Sequence, residues 1–266
     1  MRYVLITGAY GGMGYSTAKA LAKQGFTVFA VDQKVKNPEE NIIPIQVNVT
    51  NIDSITNAFQ IVKNKTDKLF AIIHFAGVYM LDSLVEITEE RFTKIFNINL
   101  FGVYRINKIF LPLLGNRSRI VITSSELAVT NPLPFTGIYA ITKAALEKYA
   151  FSLRMELQLL NINVSVIRPG AVKTDLLSIS TKELNVFCNK TKLYNYNAEK
   201  FKKIVNSVEA KYVLPEKIAN KIERVLKAKK PKYVYNINRN FLLKLLNILP
   251  AKLQTRIIKK ILTNKK

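Results

Sequence analysis

The first 32 residues constrain the fold of this chain more than any other stretch. An apolar run over residues 2–7 passes directly into the glycine-rich segment at residues 8–14, GAYGGMG. A helical pattern follows and ends at Gly25, and the strand-like residues 26–31 then lead to Asp32. A strand, glycine-rich turn, helix, strand and terminal acid in this order predict a βαβ unit with two parallel strands.

Short apolar runs alternate with helical patterns through the next 140 residues, which predicts a doubly wound, Rossmann-like parallel sheet with helices on both faces. Strands are expected at residues 42–47, 69–75, 119–123 and 163–167, and helices at about 53–65, 88–112 and 138–161. The Ser-, Thr-, Asn- and Lys-rich residues 176–200 indicate a loop or mobile segment. The last strand is expected at Tyr233-Val234-Tyr235.

Composition excludes several classes of protein. With 266 residues and 48% hydrophobic residues, the chain can bury one full α/β core. Its N-terminus has no signal-peptide pattern, and no apolar run approaches the roughly 20 residues that span a bilayer. One cysteine (Cys188) and one histidine (His74) exclude an internal disulfide and a zinc cluster, so no metal site is expected. A cytoplasmic protein is the simplest interpretation.

The glycine-rich turn predicts a phosphate site. Where a strand turns into a helix, glycines let backbone N–H groups and the helix dipole approach a pyrophosphate. The expected contacts in this turn are Gly8, Tyr10, Gly11, Gly12, Met13 and Gly14. Asp32 can accept hydrogen bonds from an adenosine ribose and would repel a 2′-phosphate, and the turn contains no Lys or Arg. The sequence therefore favours NAD over NADP as the cofactor.

A second candidate site is the pair Tyr139 and Lys143, which are four residues apart and so lie one helical turn from each other. A phenol has a pKa of about 10 and is a poor acid or base at neutral pH. A fixed ammonium nearby is expected to lower that pKa. The pair alone is weak evidence, because the same spacing also occurs by chance on packed helices.

The two sites together resemble the short-chain dehydrogenase/reductase family. The resemblance rests on Thr7-Gly8-x-x-x-Gly12-x-Gly14 and Tyr139-x-x-x-Lys143, and covers roughly residues 2–175. Three further segments look like family motifs in the expected order: Asn99-Leu100-Phe101-Gly102, Ile120-Val121-Ile122-Thr123-Ser124-Ser125 and Arg168-Pro169-Gly170-Ala171-Val172-Lys173-Thr174. Two segments depart from the family pattern. His74-Phe75-Ala76-Gly77 keeps only its last two residues, and Asn48-Val49 stands where the family usually has Asp-Val.

The resemblance implies an enzyme that transfers a hydride between NAD(P) and the carbonyl or secondary alcohol of a small molecule. It assigns Tyr139 as proton donor or acceptor, Lys143 as ribose clamp and electrostatic partner, and Ser125 as hydrogen-bond donor to the substrate oxygen. Asn99 would position a water for proton relay. The remaining cofactor contacts that the resemblance implies are Asn48, Val49, Ala76, Gly77, Pro169, Gly170, Val172 and Thr174.

Two assignments within these motifs have a neighbouring competitor. Ser124 competes with Ser125, since only one of two consecutive strand residues can point at the site. Asn97 competes with Asn99 in the same way, and the flanking residues favour Asn99. His74 is expected to be a packed, hydrogen-bonded imidazole and not a catalyst. A non-enzymatic dinucleotide-binding sensor or scaffold is the alternative function.

The C-terminal part is distinctive for its charge. The chain carries a formal net charge of +23, and residues 227–266 contain twelve Lys or Arg and no Asp or Glu. Two short amphipathic helices are expected on either side of Pro250, as a basic extension at 238–266 of a domain at 1–237. They fit an anionic membrane surface, or packing on the enzyme or another subunit of a homodimer or homotetramer, better than nucleic acid. Apolar and aromatic residues at 176–212 favour a lipophilic substrate.

Overall fold

A computed structural model describes residues 2–207 and 212–263. Its centre is a seven-stranded parallel sheet in the order β3-β2-β1-β4-β5-β6-β7, which confirms the predicted doubly wound sheet. The strands are β1 Arg2–Thr7, β2 Phe26–Asp32, β3 Ile42–Gln46, β4 Leu69–His74, β5 Leu114–Thr123, β6 Asn163–Pro169 and β7 Val234–Ile237. The strand order reverses between β1 and β4, and ligands of open α/β sheets bind at such a reversal, beyond the carboxyl ends of the strands.

Helices cover both faces of the sheet because successive strand side chains point to opposite sides. The helices are α1 Gly12–Ala22, α2 Ile52–Lys63, α3 Glu89–Phe96, α4 Gly102–Phe110, α5 Gly137–Leu157, α6 Asp175–Lys190, α7 Asn195–Ser207, α8 Pro215–Lys227, α9 Phe241–Ile248 and α10 Ala251–Thr263. In β1, Val4 and Ile6 pack with α1 and α8 on one face, and Leu5 packs with α2 and α4 on the other.

The prediction of a single helix over residues 88–112 is wrong in one respect. It is interrupted by a π-helical turn, Asn97–Phe101, that separates α3 from α4. A π-helical turn contains one extra residue per turn and re-aims the side chains around it. Here it turns the Asn99 side chain into the protein, where it is fully buried and hydrogen-bonds the backbone of Val78.

The loop predicted over residues 176–200 is also wrong, because α6 and α7 occupy most of it. Helices α6 and α7 each have an apolar face that the polar composition of this stretch did not indicate. On α6 Phe187 is buried, and on α7 Phe201 is buried; both rings contact Phe135, with centroids 4.6 Å and 5.6 Å away. Packing in a shared aromatic cluster therefore stabilises these two helices more than local helix preference does.

The two helices expected around Pro250 are present as α9 and α10. Leu262 of α10 is buried in the same cluster as Phe201, and its carbonyl accepts a hydrogen bond from Asn197 Nδ2 at 3.0 Å. Gln254 is buried as well and accepts from Asn131 Nδ2. One side of the extension thus packs on the domain, and the boundary between 237 and 238 stays a prediction. Within the described ranges, no helix combines the length and apolar character needed to cross a membrane.

Candidate active site

The glycine turn lies at the carboxyl end of β1, beside the reversal in strand order. Gly8 has a φ of +65°, and a Cβ at this position would lie 2.5 Å from the Ala76 amide nitrogen. A Cβ on Gly14 would lie 2.0 Å from the Gly8 carbonyl oxygen. Both positions exclude any side chain, since real Cβ contacts are not this short. The backbone of the glycine-rich turn is therefore in direct contact with the backbone of the first helical turn of α1.

The N-terminus of α1 is arranged to accept an anion. Gly11 caps the helix without a side-chain hydrogen bond, and no acid lies in the first turn. The first N–H groups of α1 therefore have no capping or acidic side chain of this turn as partner, and the positive end of the helix dipole lies at the turn. A Cβ on Gly12 would lie 2.7 Å from Thr174 Cγ2, so Thr174 from the loop after β6 closes the other side of this cradle. The residues present fit a dinucleotide pyrophosphate.

We expect Gly14→Ala to abolish dinucleotide binding and to lower the thermal midpoint by about 5 °C or more, because the new methyl must displace the Gly8 carbonyl. Gly11→Ala is the matched control for the thermal midpoint, since its Cβ would meet the Gly8 oxygen at an ordinary 3.5 Å. Differential scanning calorimetry and NADH fluorescence titration measure the two effects. Equal thermal midpoints for the two variants would contradict the close approach.

Asp32 lies at the end of β2, next to the turn. Its Oδ2 accepts a hydrogen bond from the Tyr10 amide at 2.9 Å. Further along the same sheet edge, Asn48 follows β3 and accepts a hydrogen bond from Gln33 Nε2, and Val49 is buried. The structure thus brings Tyr10, Asp32, Asn48 and Val49 to the side of the sheet where a βαβ unit binds an adenosine ribose.

The Tyr139–Lys143 pair faces one cavity of about 350 Å³. Nine of the predicted site residues line it: Met13, Gly77, Ser125, Tyr139, Lys143, Pro169, Gly170, Val172 and Thr174. Tyr139 and Lys143 are only 7% and 6% exposed. The Lys143 ammonium donates to the Thr123 carbonyl at 3.0 Å and lies 5.8 Å from the centre of the Tyr139 ring. Residues from the ends of four strands meet here.

The expectation that Lys143 lowers the Tyr139 pKa is not met. Burial raises the pKa of Tyr139 to about 12, opposed by a hydrogen bond with Ser125. Burial also lowers the pKa of Lys143 to about 8, opposed by the carboxylate of Glu147. The physical reason is that the cavity wall removes water from both groups and so disfavours both charged forms, while the ammonium is directed at the Thr123 carbonyl.

The structure distinguishes the two candidate serines. Ser125 Oγ accepts a hydrogen bond from the Leu127 amide at 3.2 Å, and it lies near enough to Tyr139 to lower the pKa of that phenol. Ser124 Oγ is buried and has no hydrogen-bond partner among the described residues. Ser125 is therefore the serine whose hydroxyl is coupled to the tyrosine.

The two candidate asparagines also have different surroundings. Asn97 Oδ1 accepts from Arg105 at 3.3 Å, away from the cavity. Asn99 Oδ1 accepts from the Val78 amide at 2.8 Å, and Nδ2 donates to Thr142 Oγ1 at 3.2 Å. A Cβ on Gly77 would lie 3.2 Å from Asn99 Oδ1 and 3.7 Å from Lys143 Nζ. Asn99 thus fixes the loop after β4 beside the lysine.

The loop after β6 is pinned by the C-terminal strand. Gly170 donates to the Ile237 carbonyl at 2.8 Å, and a Cβ on Gly170 would lie 2.0 Å from the Asn238 carbonyl oxygen. Behind the loop, the Arg168 guanidinium makes two hydrogen bonds to the Glu147 carboxylate, at 2.7 and 2.8 Å. Such a bidentate pair fixes the end of β6 on α5.

Several cavity residues were not anticipated from the sequence. They are Tyr79, Leu81, Glu126, Leu133, Asn240 and Leu243. The Tyr79 ring lies 4.9 Å from the Tyr139 ring, and Asn240 donates its amide to Glu126 at 2.6 Å. The position of Tyr79 two residues after Gly77 was an available signal. No local pattern places Asn240 and Leu243, more than 100 residues after the serines, in the same wall.

His74 is a packed imidazole, as expected. It is fully buried, and its Nε2 lies 2.8 Å from Asn107 Oδ1. Burial lowers its pKa to about 4, so it is neutral at physiological pH. No group of three His, Cys, Asp or Glu that could hold a metal lies within residues 2–207 and 212–263.

A sequence model of the short chain dehydrogenases matches residues 2–185. The chain belongs to the short-chain dehydrogenase family. This confirms the resemblance drawn from the glycine turn and the Tyr139–Lys143 pair. The family consists of oxidoreductases that act on alcohol and ketone groups with NAD or NADP.

Named members of the family match different shares of the chain. A 3-ketodihydrosphingosine reductase of Bacteroides thetaiotaomicron is 28% identical over 234 residues, covering 86% of this chain and 85% of the relative. Estradiol 17-beta-dehydrogenase 2 of Mus musculus is 36% identical over 185 residues, covering 65% of this chain. The match spans only 49% of that relative, about half its length.

Solved structures show the same fold. A short-chain dehydrogenase from Streptomyces avermitilis superposes with a TM-score of 0.75 at 21% identity, covering 99% of this chain and 98% of that structure. A short-chain dehydrogenase family protein from Francisella tularensis gives a TM-score of 0.74 at 23% identity, with 89% and 96% covered. At this level of identity the likeness concerns the fold.

Proposed function

We propose that this protein transfers a hydride between NAD and the carbonyl or secondary alcohol carbon of a lipophilic substrate. The observation that carries the proposal is the meeting of Ser125, Tyr139 and Lys143 in one cavity, beside a cradle that fits a pyrophosphate. A protein that only binds a dinucleotide has no need of a tyrosine, a serine and a lysine that line one cavity beside that cradle.

Each group has a role that its surroundings support. Tyr139 is held neutral by burial and can donate its proton to a developing alkoxide, and Ser125 can donate to the same oxygen. Lys143 has three N–H donors, one of them used by the Thr123 carbonyl, so it can also hold ribose hydroxyls. Asn99 fixes the loop that carries Gly77, and its part in a proton relay remains a proposal. The nicotinamide supplies or accepts the hydride.

The cavity wall supports a lipophilic substrate. Beyond the polar groups it is formed by Leu81, Leu127, Leu133, Leu184 and Phe201. Apolar pockets of this kind bind ligands mainly through buried apolar area, and a few polar groups set the orientation. The matching relatives named for 3-ketodihydrosphingosine and for estradiol act, by those names, on hydrophobic ketones or alcohols. We extend that substrate class to this chain.

We expect NADH to bind about tenfold more tightly than NADPH, because a 2′-phosphate would meet the carboxylate of Asp32, and the glycine turn supplies no Lys or Arg to compensate. Asp32→Ala should reduce or reverse this preference. Fluorescence titration with both dinucleotides measures the ratio.

Asp32→Asn is the matched variant, since the amide oxygen can still accept from the Tyr10 amide while the charge is removed. If the charge sets the preference, Asn and Ala should reduce it alike. A reduced preference for NADH in Asp32→Ala but not in Asp32→Asn would assign the effect to the hydrogen bond from the Tyr10 amide. Equal affinities of the intact protein for the two dinucleotides would overturn the assignment of NAD.

The exposed surface also supports a homodimer. On α5, Ile141, Phe151 and Met155 are exposed and lie on one helical face, and Tyr104 of α4 is exposed as well. An apolar stripe of this length is typical of an interface between subunits. A two-fold axis along this stripe would bury it against its own copy, as isologous dimers do.

The direct test of the proposed function is a two-step assay on the full chain. Fluorescence titration first establishes NADH binding, and a screen of alcohols and ketones, from short-chain to steroid-sized, then measures the change in NADH absorbance. Turnover that increases with the length or ring number of the substrate supports the proposal. Tight NADH binding with no turnover across the screen would favour the non-enzymatic sensor instead.

A further inference from the structure

Helix α9 has two apolar faces that meet different surroundings. One face points into the protein, where Leu243 lines the cavity that holds Tyr139. The opposite face carries Phe241, Leu242, Leu245 and Ile248, of which Phe241 is 68% and Ile248 is 74% exposed. Four large apolar side chains on two turns of one helix form an exposed patch of the kind that marks an interaction site. An α-helix is about 10 Å across, so this patch and the cavity wall are separated by a single helix.

The neighbouring helix adds positive charge to the same region. On α10, Gln254 and Leu262 are buried against the domain, whereas Lys252, Arg256, Lys259 and Lys260 are exposed. The inward contacts hold α10 in place, so its basic residues are presented outward on a fixed element. No acidic residue follows Glu223, so the positive charge of this region is not compensated along the chain.

We propose that α9 and α10 dock this protein on an anionic lipid bilayer, with the exposed face of α9 inserted at the boundary between headgroups and acyl chains. A helix that combines apolar residues with a basic neighbouring face binds membranes in this orientation through apolar burial and attraction to anionic lipids. The lipophilic substrate then reaches the cavity from the bilayer along α9. This last step rests on the proposed function, whereas the docking does not.

Charge and apolarity together favour the bilayer over other occupants. A second copy of this chain placed on the same face would bring two basic, acid-free segments together, which costs free energy. A nucleic acid would satisfy the charge but leave Phe241, Leu242, Leu245 and Ile248 in water. An anionic bilayer accommodates both properties.

The test is flotation of the full chain with vesicles of phosphatidylcholine alone and with about one third phosphatidylglycerol. We expect binding to the anionic vesicles to exceed binding to the neutral ones about tenfold or more. Raising the ionic strength from about 0.1 M to about 1 M should weaken it, since the Debye length shortens from about 10 Å to about 3 Å. Equal partitioning into both vesicles, or no partitioning, would overturn the proposal.

The double variant Phe241→Asp, Leu245→Asp should weaken vesicle binding at least tenfold. Its matched control is Ile52→Asp, Ile61→Asp on α2, with the same charge change. Phe241 and Ile52 are the first residues of their helices, and Leu245 and Ile61 are 46% and 47% exposed. Equal losses in both double variants would assign the effect to charge alone and contradict insertion of α9.

Two further measurements separate the alternatives. A shift from dimer to monomer on size exclusion in the α9 variant only, with vesicle binding unchanged, would identify the patch as a subunit interface and overturn the proposal. Tighter binding to duplex DNA than to anionic vesicles would overturn it in favour of nucleic acid. Tyr139→Phe should float like the intact protein, so loss of the proposed enzymatic function and loss of docking are distinguishable.

Discussion

Replacing Tyr139 by Phe should reduce turnover about a thousandfold while NADH still binds with unchanged affinity. The substitution removes one hydroxyl from a buried ring and leaves the ring in place. Tyr139 and Ser125 line the same cavity, and burial keeps the phenol in its proton-carrying form. Loss of a positioned general acid typically costs between a hundredfold and ten-thousandfold. Steady-state assays with a substrate from the ketone screen, together with NADH fluorescence titration, measure the two quantities.

Tyr149→Phe provides the matched control for this result. Tyr149 is on the same helix, and its hydroxyl accepts a hydrogen bond from Asn107 Nδ2 at 3.1 Å, outside the cavity. We expect its turnover to stay within a factor of about three of the intact protein. Activity of Tyr139→Phe close to that of Tyr149→Phe would remove Tyr139 as the acid, and a parallel loss of NADH affinity would indicate a structural role instead.

The parts of the site that the sequence predicted are those that local backbone geometry determines. Gly8 is needed for its φ of +65°, and Gly14 is needed because a Cβ there would collide with the Gly8 carbonyl in the same turn. Asp32 is the last residue of its strand, and Tyr139 and Lys143 are related by one helical turn. Each of these features is encoded within a few residues, so a pattern in the sequence is sufficient to find it.

The parts that sequence did not predict depend on contacts between distant segments. Helices α6 and α7 are ordered by packing on Phe135, and Leu243 reaches the cavity because Gly170 pairs with Ile237 in the strand before α9. The raised pKa of Tyr139 is another such property, since it depends on how completely the surrounding chain excludes water. Propensity and spacing do not carry this information.

Lys143 shows how the site departs from what stability alone would select. At neutral pH its ammonium is charged and buried, and burial lowers its pKa to about 8. Glu147 lies one turn further along α5 and partly offsets this, but its carboxylate is also hydrogen-bonded by Arg168. A buried cation retained at such a cost is typical of functional sites, where strain or desolvation is offset elsewhere in the fold.

We therefore expect Lys143→Met to reduce turnover about a hundredfold or more and yet to alter stability in a pH-dependent way. Methionine has a similar shape but no charge. The substitution removes the hydrogen bond to the Thr123 carbonyl, and this loss of stability does not depend on pH. In the intact protein, the folded state binds fewer protons at Lys143 than the unfolded state between about pH 8 and pH 10.5. The contribution of Lys143 to the free energy of unfolding therefore rises with pH through that window and is lowest below pH 8.

The difference in unfolding free energy between the intact protein and Lys143→Met isolates this contribution, because all other titrations cancel. Between pH 7 and pH 9.5 the difference should change by on the order of 2 kcal/mol in favour of the intact protein. Urea unfolding at the two pH values measures it. Lys148→Met, at an exposed position on the same helix, should show no such change. A pH-independent difference for Lys143→Met would mean that the Lys143 ammonium is not desolvated in the folded protein, and would leave its role to ribose binding alone.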